Sequence, residues 1–422
     1  MSRDWTRYVT AILGLCSCLT GCRRPLSTDA FGAGRESSCP VETRTSTPLV
    51  LSGNRRIYVE PMALAVRDET VLMTGVPTYL WGPQARTMPR DRGVDTLVGL
   101  FRDARGRVTA LRKPEVLGGV SDFRIDAGAG DDMAVFFSQL DRPFRPGEPV
   151  TTVDFWYGII ARRKWASLER LPRPRSGVLE TYFATSPARS GHRLLLAVPI
   201  RNRSTDVGVY TRDDGRWTLD VVPTGRAAYV ALSAIPAGDI LLVVVRPDTT
   251  RTSDQNSLSL LVRRNGEWTD LGFAVLGGPE PIHEPRFFTV AGVQLLSWLV
   301  ESEITGSRAV RVARVMPGPR LGPVVTLAEG IEYVSFVTGS AAPLWVVSTP
   351  ATSTSPGHLR LVSWNDGTPA RVVDVVTNPF TGYFTALASR KGAEVLGPLR
   401  GRDTTDAPVV LSSLHTRFRC DA

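Results

Sequence analysis

Residues 229–274 contain four short apolar segments separated by turns, and this stretch decides the fold. The segments are YVALSAI (229–235), ILLVVVR (240–246), SLSLLVR (257–263) and WTDLGFA (268–274). Short turns, PAGD and RNGE, join the first segment to the second and the third to the fourth. Segments rich in Val and Leu and bounded by Gly, Pro, Asn and Asp are typical of β-strands. The stretch therefore predicts a sheet of four strands.

The same order of four segments recurs along the chain. Clear copies occupy 283–328 and 332–376, and looser copies occupy 181–223, about 121–172 and about 58–113. A seventh unit begins near Gly382 and supplies three strands before the sequence ends. Repetition of a four-stranded unit is the mark of a β-propeller. We therefore predict an all-β fold, a β-propeller of seven four-stranded blades.

The seventh unit lacks its fourth strand, and the segment Pro48–Leu51 is expected to supply it. A ring closed by this N-terminal strand has no exposed sheet edge at the junction. The alternative architecture is a pair of β-sandwiches, which does not explain the regular four-strand period.

The first residues have the order of an export signal. Arg3 and Arg7 precede an apolar run from Tyr8 to Leu19, which ends in small residues. This run is too short to span a hydrocarbon core of about 30 Å as a helix. Leu19-Thr20-Gly21-Cys22 resembles the lipobox of bacterial lipoproteins, and the resemblance implies that Cys22 is lipidated and becomes the first mature residue.

Three regions are expected from these features. Residues 1–21 form a signal peptide, residues 22–46 a flexible tether rich in Ser, Thr, Gly and Arg, and residues 47–422 the propeller domain. The lipobox implies an exported protein that is anchored to the bacterial cell envelope through acyl chains in the lipid bilayer. The resemblance to lipoproteins also implies an outer-membrane location, because Arg23 and not an acidic residue follows Cys22, and the periplasmic or surface side stays open.

The cysteines suggest one disulfide. Of five cysteines, Cys16 and Cys18 leave with the signal and Cys22 is acylated, so Cys39 and Cys420 remain. Export permits disulfides, and these two residues become neighbours if the terminal strands pair. We expect a Cys39–Cys420 disulfide, with two unpaired thiols as the alternative.

The charge balance excludes some partners. The formal net charge is +9, but the basic residues are interspersed along the chain without forming a concentrated stripe. Nucleic-acid binding needs such a stripe or a known module, so none is expected. The scattered histidines and cysteines predict no metal site. We expect a monomer without a cofactor.

One face of the predicted propeller carries longer loops, which makes it the candidate working face. Its loops include 81–95, 141–151, 246–256 and 276–285, and the loop near 175 adds Arg173 and Arg175. These arginines predict either an anion site or simply a solvated polar surface.

The innermost strands begin on the same face with polar and aromatic side chains. The candidate binding or catalytic residues there are Asp122, Glu180, Tyr182, His283, Glu284, Arg286 and Glu332. Carboxylates from different blades that meet at one axis can divide acid and base roles, as in glycoside hydrolysis. A neighbouring arginine can clamp an acidic ligand through two hydrogen bonds.

Two turns resemble the Asp-box of sialidases. The stretch Thr211–Trp217 (TRDDGRW) and the weaker Arg263–Trp268 (RRNGEW) both connect a third to a fourth strand, where that family places its boxes. The resemblance implies a sialidase-type propeller, but Asp-Gly and Asn-Gly are favoured in any tight hairpin. The tryptophans in strand segments, including Trp217 and Trp268, predict packing between blades.

These observations predict a membrane-tethered envelope lipoprotein whose long-loop face binds an envelope protein or an anionic glycan without catalysis. The alternative is a glycoside hydrolase or lyase, similar to a sialidase, that acts on an acidic carbohydrate at the same face.

Overall fold

The structure is a computed structural model whose described residues, apart from Phe418, belong to one compact unit, Val41–Arg417. The described residues are 41–45, 49–51, 62–66, 69–76, 96–103, 105, 107–111, 120–127, 132–140, 153–180, 182–187, 194–201, 206–235, 239–247, 256–275, 280–290, 292–302, 306–340, 343–351, 357–365, 368–378, 380, 384–389, 392–398 and 409–418. The predicted signal peptide, most of the tether and the five cysteines lie outside these residues.

Antiparallel strands joined in chain order form the first three sheets. The first sheet contains β3 (Met62–Val66), β4 (Glu69–Val76), β5 (Thr96–Arg102) and β6 (Val108–Ala110). The second contains β7 (Val120–Ala127), β8 (Met133–Leu140), β9 (Val153–Ala161) and β10 (Lys164–Arg170). The third contains β11 (Val178–Leu179), β12 (Ala184–Pro187), β13 (Leu194–Arg201), β14 (Asp206–Asp213) and β15 (Arg216–Val222).

The remaining strands form three further sheets. The fourth sheet contains β16 (Tyr229–Ala234), β17 (Ile240–Pro247), β18 (Asn256–Arg264) and β19 (Glu267–Val275). The fifth contains β20 (Ile282–Val290), β21 (Val293–Glu301), β22 (Arg308–Met316), β23 (Arg320–Leu321) and β24 (Val325–Ile331). The sixth contains β25 (Tyr333–Thr338), β26 (Leu344–Ser348), β27 (His358–Asn365), β28 (Thr368–Thr377), β29 (Thr385–Ser389), β30 (Gly392–Pro398), β31 (Val409–Phe418), β1 (Val41–Thr45) and β2 (Leu49–Leu51).

The expected propeller of four-stranded blades is confirmed, but the count of seven blades is wrong. The described residues form six sheets, of which the sixth has nine strands. Its two predicted blades are joined because β25 pairs in parallel with β29, through Val337 with Ala386 and Thr338 with Leu387. Two inner strands therefore lie close enough at this point to share backbone hydrogen bonds.

The N-terminal strand β2 pairs antiparallel with β31, with Leu49 opposite Leu411. Closure of the ring by this strand is not shown and stays a prediction. Because Cys39 and Cys420 lie outside the described residues, the structure gives their disulfide no support. Within the described residues there is also no helix of the length and apolar character needed to cross a membrane.

The core lies between consecutive sheets. Strand β17 illustrates the pattern, because its alternate side chains enter two different clusters. Ile240, Leu242 and Val244 pack with the third sheet, whereas Leu241, Val243 and Val245 pack with the fifth. Full burial of each such side chain contributes about 1.5–3 kcal/mol to the stability of the folded state. The continuous apolar run of this strand thus follows from burial of both sheet faces.

Tight turns and tryptophans behave as the sequence predicted. Asp214-Gly215 and Asn265-Gly266 have positive φ, as primed hairpin turns require, between β14 and β15 and between β18 and β19. Trp217 packs between the second and third sheets, and Trp268 between the third and fourth. The two Asp-box-like stretches are therefore turns whose tryptophans help bind neighbouring sheets together.

The sixth sheet contacts the first through strands β29 and β3. The amide of Ala63 donates to Thr385 Oγ1 at 3.3 Å. Arg102 Nη2 donates to both carboxylate oxygens of Glu394, at 2.5 and 2.7 Å. The two side chains are 16% and 8% exposed. A largely buried ion pair thus joins strands that are distant in sequence.

We expect Glu394→Ala to lower the free energy of unfolding by about 3 kcal/mol, because it leaves the Arg102 guanidinium without its carboxylate in a largely buried position. The measurement is denaturant unfolding of the purified protein. The matched control is Asp239→Ala, which breaks the pair with Arg264 at 3.0 Å, where Arg264 is 54% exposed. The control is expected to lose less than about 1 kcal/mol, and equal losses would contradict the assignment.

Candidate functional site

The first residues of four inner strands gather at one end of the unit. Neighbouring inner strands run in the same direction, as the parallel pairing of β25 with β29 shows. Strand β12 contacts β7 and β16, and β16 contacts β20. We define the inner-strand site by the polar and aromatic side chains at this end of β7, β12, β16 and β20: Asp122, Arg124, Tyr182, Tyr229, His283, Glu284 and Arg286.

Three rings from three sheets form a row across the inner-strand site. Tyr182 and Tyr229 meet edge to face with centroids 5.3 Å apart. Tyr229 meets His283 in the same way at 5.5 Å, and its hydroxyl lies 3.3 Å from His283 Nδ1. Tyr182 donates a hydrogen bond to the carbonyl of Val230 at 3.2 Å. The row therefore presents ring edges, one phenol and one imidazole together.

A rigid ion pair lies on the second-sheet side of the row. Arg124 Nη1 donates to Asp122 Oδ1 at 2.7 Å and to the carbonyl of Phe123 at 2.7 Å. Asp122 Oδ1 also accepts from the amide of Phe123 at 2.8 Å. The guanidinium carbon of Arg124 lies 5.5 Å from the ring centroid of Phe183. Backbone groups thus hold both members of this pair in place.

A looser ion pair lies on the fifth-sheet side. Arg286 Nη2 donates to Glu284 Oε2 at 3.1 Å, and the two side chains are 30% and 44% exposed. The pairing of β20 with β21 shifts register between His283 and Arg286, so Glu284 sits in a bulge. Its φ of 45° lies in the left-handed region, which is costly for a residue other than glycine. Asp214 and Asn265 have a similar φ in tight turns, where it is expected, whereas Glu284 lies within β20.

Burial raises the pKa of both tyrosines in the row. For Tyr182 desolvation dominates, and the positive charges of Arg124 and Arg286 oppose it only in part. For Tyr229 burial is again the main cause, and the negative charge of Glu284 adds to it. Both phenols therefore stay protonated at neutral pH and can donate hydrogen bonds there.

The structure brings together five of the predicted residues: Asp122, Tyr182, His283, Glu284 and Arg286. It pairs Glu180 instead with Arg201, whose Nε donates to Glu180 Oε1 at 2.6 Å. Glu332 is exposed, and its amide donates to the carbonyl of Ser348 at 2.7 Å. Neither carboxylate is joined to the ring row by any hydrogen bond described here.

Arg173 holds a carboxylate of its own chain. Its Nε and Nη2 donate to the two oxygens of Asp154, at 2.6 and 2.9 Å. Burial acts to raise the pKa of Asp154, but the hydrogen bonds from Arg173 and Arg170 outweigh it and lower that pKa. Arg175 is exposed on the same segment. The long loops 81–95 and 141–151 lie outside the described residues.

Other arginines at this end are also bound to carboxylates. Arg246 Nη2 lies 2.7 Å from Asp270, Arg308 Nε lies 2.8 Å from Glu301, and Arg311 Nη2 lies 3.0 Å from Glu280. The surface therefore carries matched pairs of charges. A ligand carboxylate has to compete with protein carboxylates for a guanidinium at such a surface.

Sequence reasoning missed Arg124 and Tyr229. Arg124 follows Asp122 by two residues, as Arg286 follows Glu284, and this spacing places both members of each pair on one face of a strand. That shared spacing is the signal that points to Arg124. Tyr229 is an ordinary aromatic residue at the start of a strand, and only its contacts with Tyr182 and His283 distinguish it.

The described part of the chain contains no set of side chains arranged to bind a metal ion. There, no group of three or more His, Cys, Asp or Glu side chains is placed to hold an ion. The described side chains of the inner-strand site offer hydrogen bonds and ion pairs to a ligand.

The chain is similar to several solved structures. No protein-family model matches it, and no curated protein matches it. An ulvan lyase, described as a polysaccharide lyase bound to -GlcA(1-4)Rha3S-, gives a TM-score of 0.53 at 9% identity, covering 86% of this chain and 95% of that one. A sialidase of Trypanosoma rangeli in complex with sialic acid gives a TM-score of 0.47 at 10% identity, covering 89% of this chain and 59% of that one. The β-propeller domain of a protease of Pyrococcus furiosus gives a TM-score of 0.48 at 8% identity, covering 86% of this chain and 100% of that one. At these identities the likeness concerns the fold alone.

We expect the stability of the protein to fall as the pH rises above about 10, because a tyrosine with a raised pKa in the folded state holds its proton more tightly than in the unfolded state. The stabilisation is complete below the unfolded pKa and is lost progressively above it. Tyr182→Phe removes one such group, so its decline is smaller by up to about 1.4 kcal/mol per pH unit.

The measurement is denaturant unfolding at several pH values on either side of pH 10. Tyr210, whose buried hydroxyl donates to the carbonyl of Pro172 at 2.9 Å and whose pKa burial also raises, provides a second variant, Tyr210→Phe, with the same expected sign. Equal pH slopes for the wild type and Tyr182→Phe would show that Tyr182 titrates alike in both states.

Proposed function

We propose that this protein is an envelope lipoprotein whose inner-strand site binds an acidic glycan without catalysis. The observation that carries the proposal is the row of Tyr182, Tyr229 and His283 flanked by two arginine–carboxylate pairs. Aromatic rings offer apolar surface for a sugar ring, and a few convergent polar groups orient it. A guanidinium is the side-chain group best suited to bind a carboxylate.

The position of the inner-strand site supports this proposal. Its residues stand at strand ends carried by a packed scaffold, where binding residues are commonly found. The ulvan lyase structure holds a saccharide, -GlcA(1-4)Rha3S-, and a propeller that binds an acidic glycan is consistent with that setting. An envelope protein is the competing kind of partner for the same surface.

The binding test uses the full chain in detergent and a panel of oligosaccharides that contain uronic or sialic acids, with neutral oligosaccharides of matched length. We expect binding of acidic members only, and Arg286→Ala to weaken it at least tenfold through loss of the charged hydrogen bonds, each worth about 1.5–3 kcal/mol. The matched control is Arg264→Ala at the turn between β18 and β19, which removes a paired arginine at the other end of the sheet and leaves binding unchanged. Equal binding of neutral and acidic members would contradict the proposal.

A glycoside hydrolase or lyase is the second candidate, and the Tyr229–His283 contact favours it. A hydroxyl 3.3 Å from an imidazole nitrogen forms a long hydrogen bond, and catalytic hydrogen bonds are often long until substrate is bound. A lyase acting on a uronide yields an unsaturated sugar that absorbs ultraviolet light, whereas a hydrolase yields new reducing ends. Appearance of either product, and its loss in His283→Ala, would assign catalysis to this site. Turnover that survives Glu180→Gln combined with Glu284→Gln would exclude these carboxylates as catalytic groups.

The membrane attachment rests on Cys22 in the lipobox-like segment. Two or more acyl chains make attachment stable, because each buried methylene contributes about 0.8 kcal/mol. We expect the wild type expressed in a bacterial host to incorporate labelled fatty acid and to enter the detergent-rich phase on partition. Cys22→Ser should lose the label and enter the aqueous phase, whereas Cys39→Ser should behave as the wild type. Label that persists in Cys22→Ser would place the acylation elsewhere.

A further inference from the structure

The two arginine–carboxylate pairs of the inner-strand site have the same sequence spacing but different construction. In both, a carboxylate precedes an arginine by two residues on an inner strand. Asp122 and Arg124 are 20% and 15% exposed, at 2.7 Å, with the backbone of Phe123 bonded to both. Glu284 and Arg286 are more exposed and lie further apart, at 3.1 Å. The second pair is thus the one that can open.

The backbone of Glu284 gives a second reason to regard this pair as displaceable. Glu284 adopts a left-handed conformation in a bulge, where a glycine would be less strained. Such strain persists only where the surrounding structure imposes it. Here it turns the Glu284 side chain toward an arginine two residues along the same strand. The register of β20 against β21 skips Glu284, so its carboxylate is carried by an irregular part of the strand.

We propose that Glu284 is an internal stand-in for the carboxylate of the ligand. In the unliganded protein its carboxylate occupies Arg286; an acidic saccharide displaces it and takes over the guanidinium. This inference rests on the proposed function, since it assumes that Arg286 receives the acidic group of the glycan. It makes Glu284 a residue that restrains binding, in contrast to a residue that contacts and stabilises the ligand.

The consequence is a gain of affinity on removal of a charged side chain. When a site is competent for only a fraction of the time, its apparent dissociation constant is the intrinsic constant divided by that fraction. Formation of an exposed ion pair of this kind therefore lowers the affinity of the site for its ligand about fivefold. Glu284→Gln keeps the size of the side chain but removes its charge, so the variant should bind an acidic ligand about fivefold more tightly.

Salt provides a readout that a purely structural role would not change. In the wild type the ligand exchanges one ion pair for another, so the number of ion pairs stays constant on binding. In Glu284→Gln the ligand forms an additional ion pair, which salt screens. The affinity of the variant should therefore fall more steeply with ionic strength than the affinity of the wild type.

The test uses the full chain in detergent and sodium glucuronate as the probe, with glucose as the uncharged counterpart. Nuclear magnetic resonance of the arginine Nε–H groups follows occupation of Arg286, whose signal is assigned from Arg286→Lys. We expect glucuronate to shift that signal in both proteins, at about fivefold lower concentration in Glu284→Gln. Glucose should leave it unchanged. Asp239→Asn, which removes the charge of Asp239 from its ion pair with Arg264 at the other end of the fourth sheet, is the matched control and should give no gain.

Three results would overturn the inference. These are weaker or equal glucuronate binding by Glu284→Gln, an equal gain in Asp239→Asn, and no shift of the Arg286 signal in either protein up to the solubility of the salt. The proposed function is scored separately with the oligosaccharide panel. If the oligosaccharides bind but Glu284→Gln does not bind glucuronate more tightly, only the inference about Glu284 is wrong. If Glu284→Gln binds glucuronate more tightly but no oligosaccharide of the panel binds, only the proposed glycan partner is wrong.

Discussion

Burial of both faces of each central sheet is the constraint on which the rest of this structure depends. A strand such as β17 packs one set of side chains against the sheet before it and the other set against the sheet after it. Because both faces are apolar, no such sheet can be stable by itself, and each needs a neighbour on either side. The six sheets therefore stand face to face, and the ion pair of Arg102 with Glu394 joins the first to the last.

This constraint also limits where function can lie. Strand faces are occupied by packing, so polar groups for recognition are left to strand ends and loops. Inner strands start together at one end, which brings Tyr182, Tyr229 and His283 into one row although they come from three sheets. The described arginines Arg246, Arg286, Arg308 and Arg311 at that end are paired with carboxylates of the same chain, so an acidic ligand would have to compete with those carboxylates for a guanidinium.

Much of the fold could be predicted because the pattern that specifies a blade is local. The unit predicted at 229–274 matches the strands from Tyr229 to Val275 closely. The number of blades could not be predicted in the same way, since the parallel pairing of Val337 with Ala386 depends on how closely two inner strands approach. At the site, Tyr182, His283, Glu284 and Arg286 were found from their place at strand starts. Glu180 was grouped with them, although its partner is Arg201 at the end of a neighbouring strand.

The amino-acid sequence by itself determined the strands, the tight turns at Asp214-Gly215 and Asn265-Gly266, and the strand ends that carry polar residues. These depend on alternation, apolar content and glycine at positive φ, all of which act over a few residues. Only the tertiary structure decided which carboxylate each arginine binds, that Tyr229 joins the ring row, and that Glu284 lies in a strained bulge. Those features arise from contacts between sheets and from strand register, which are set when distant segments pack together.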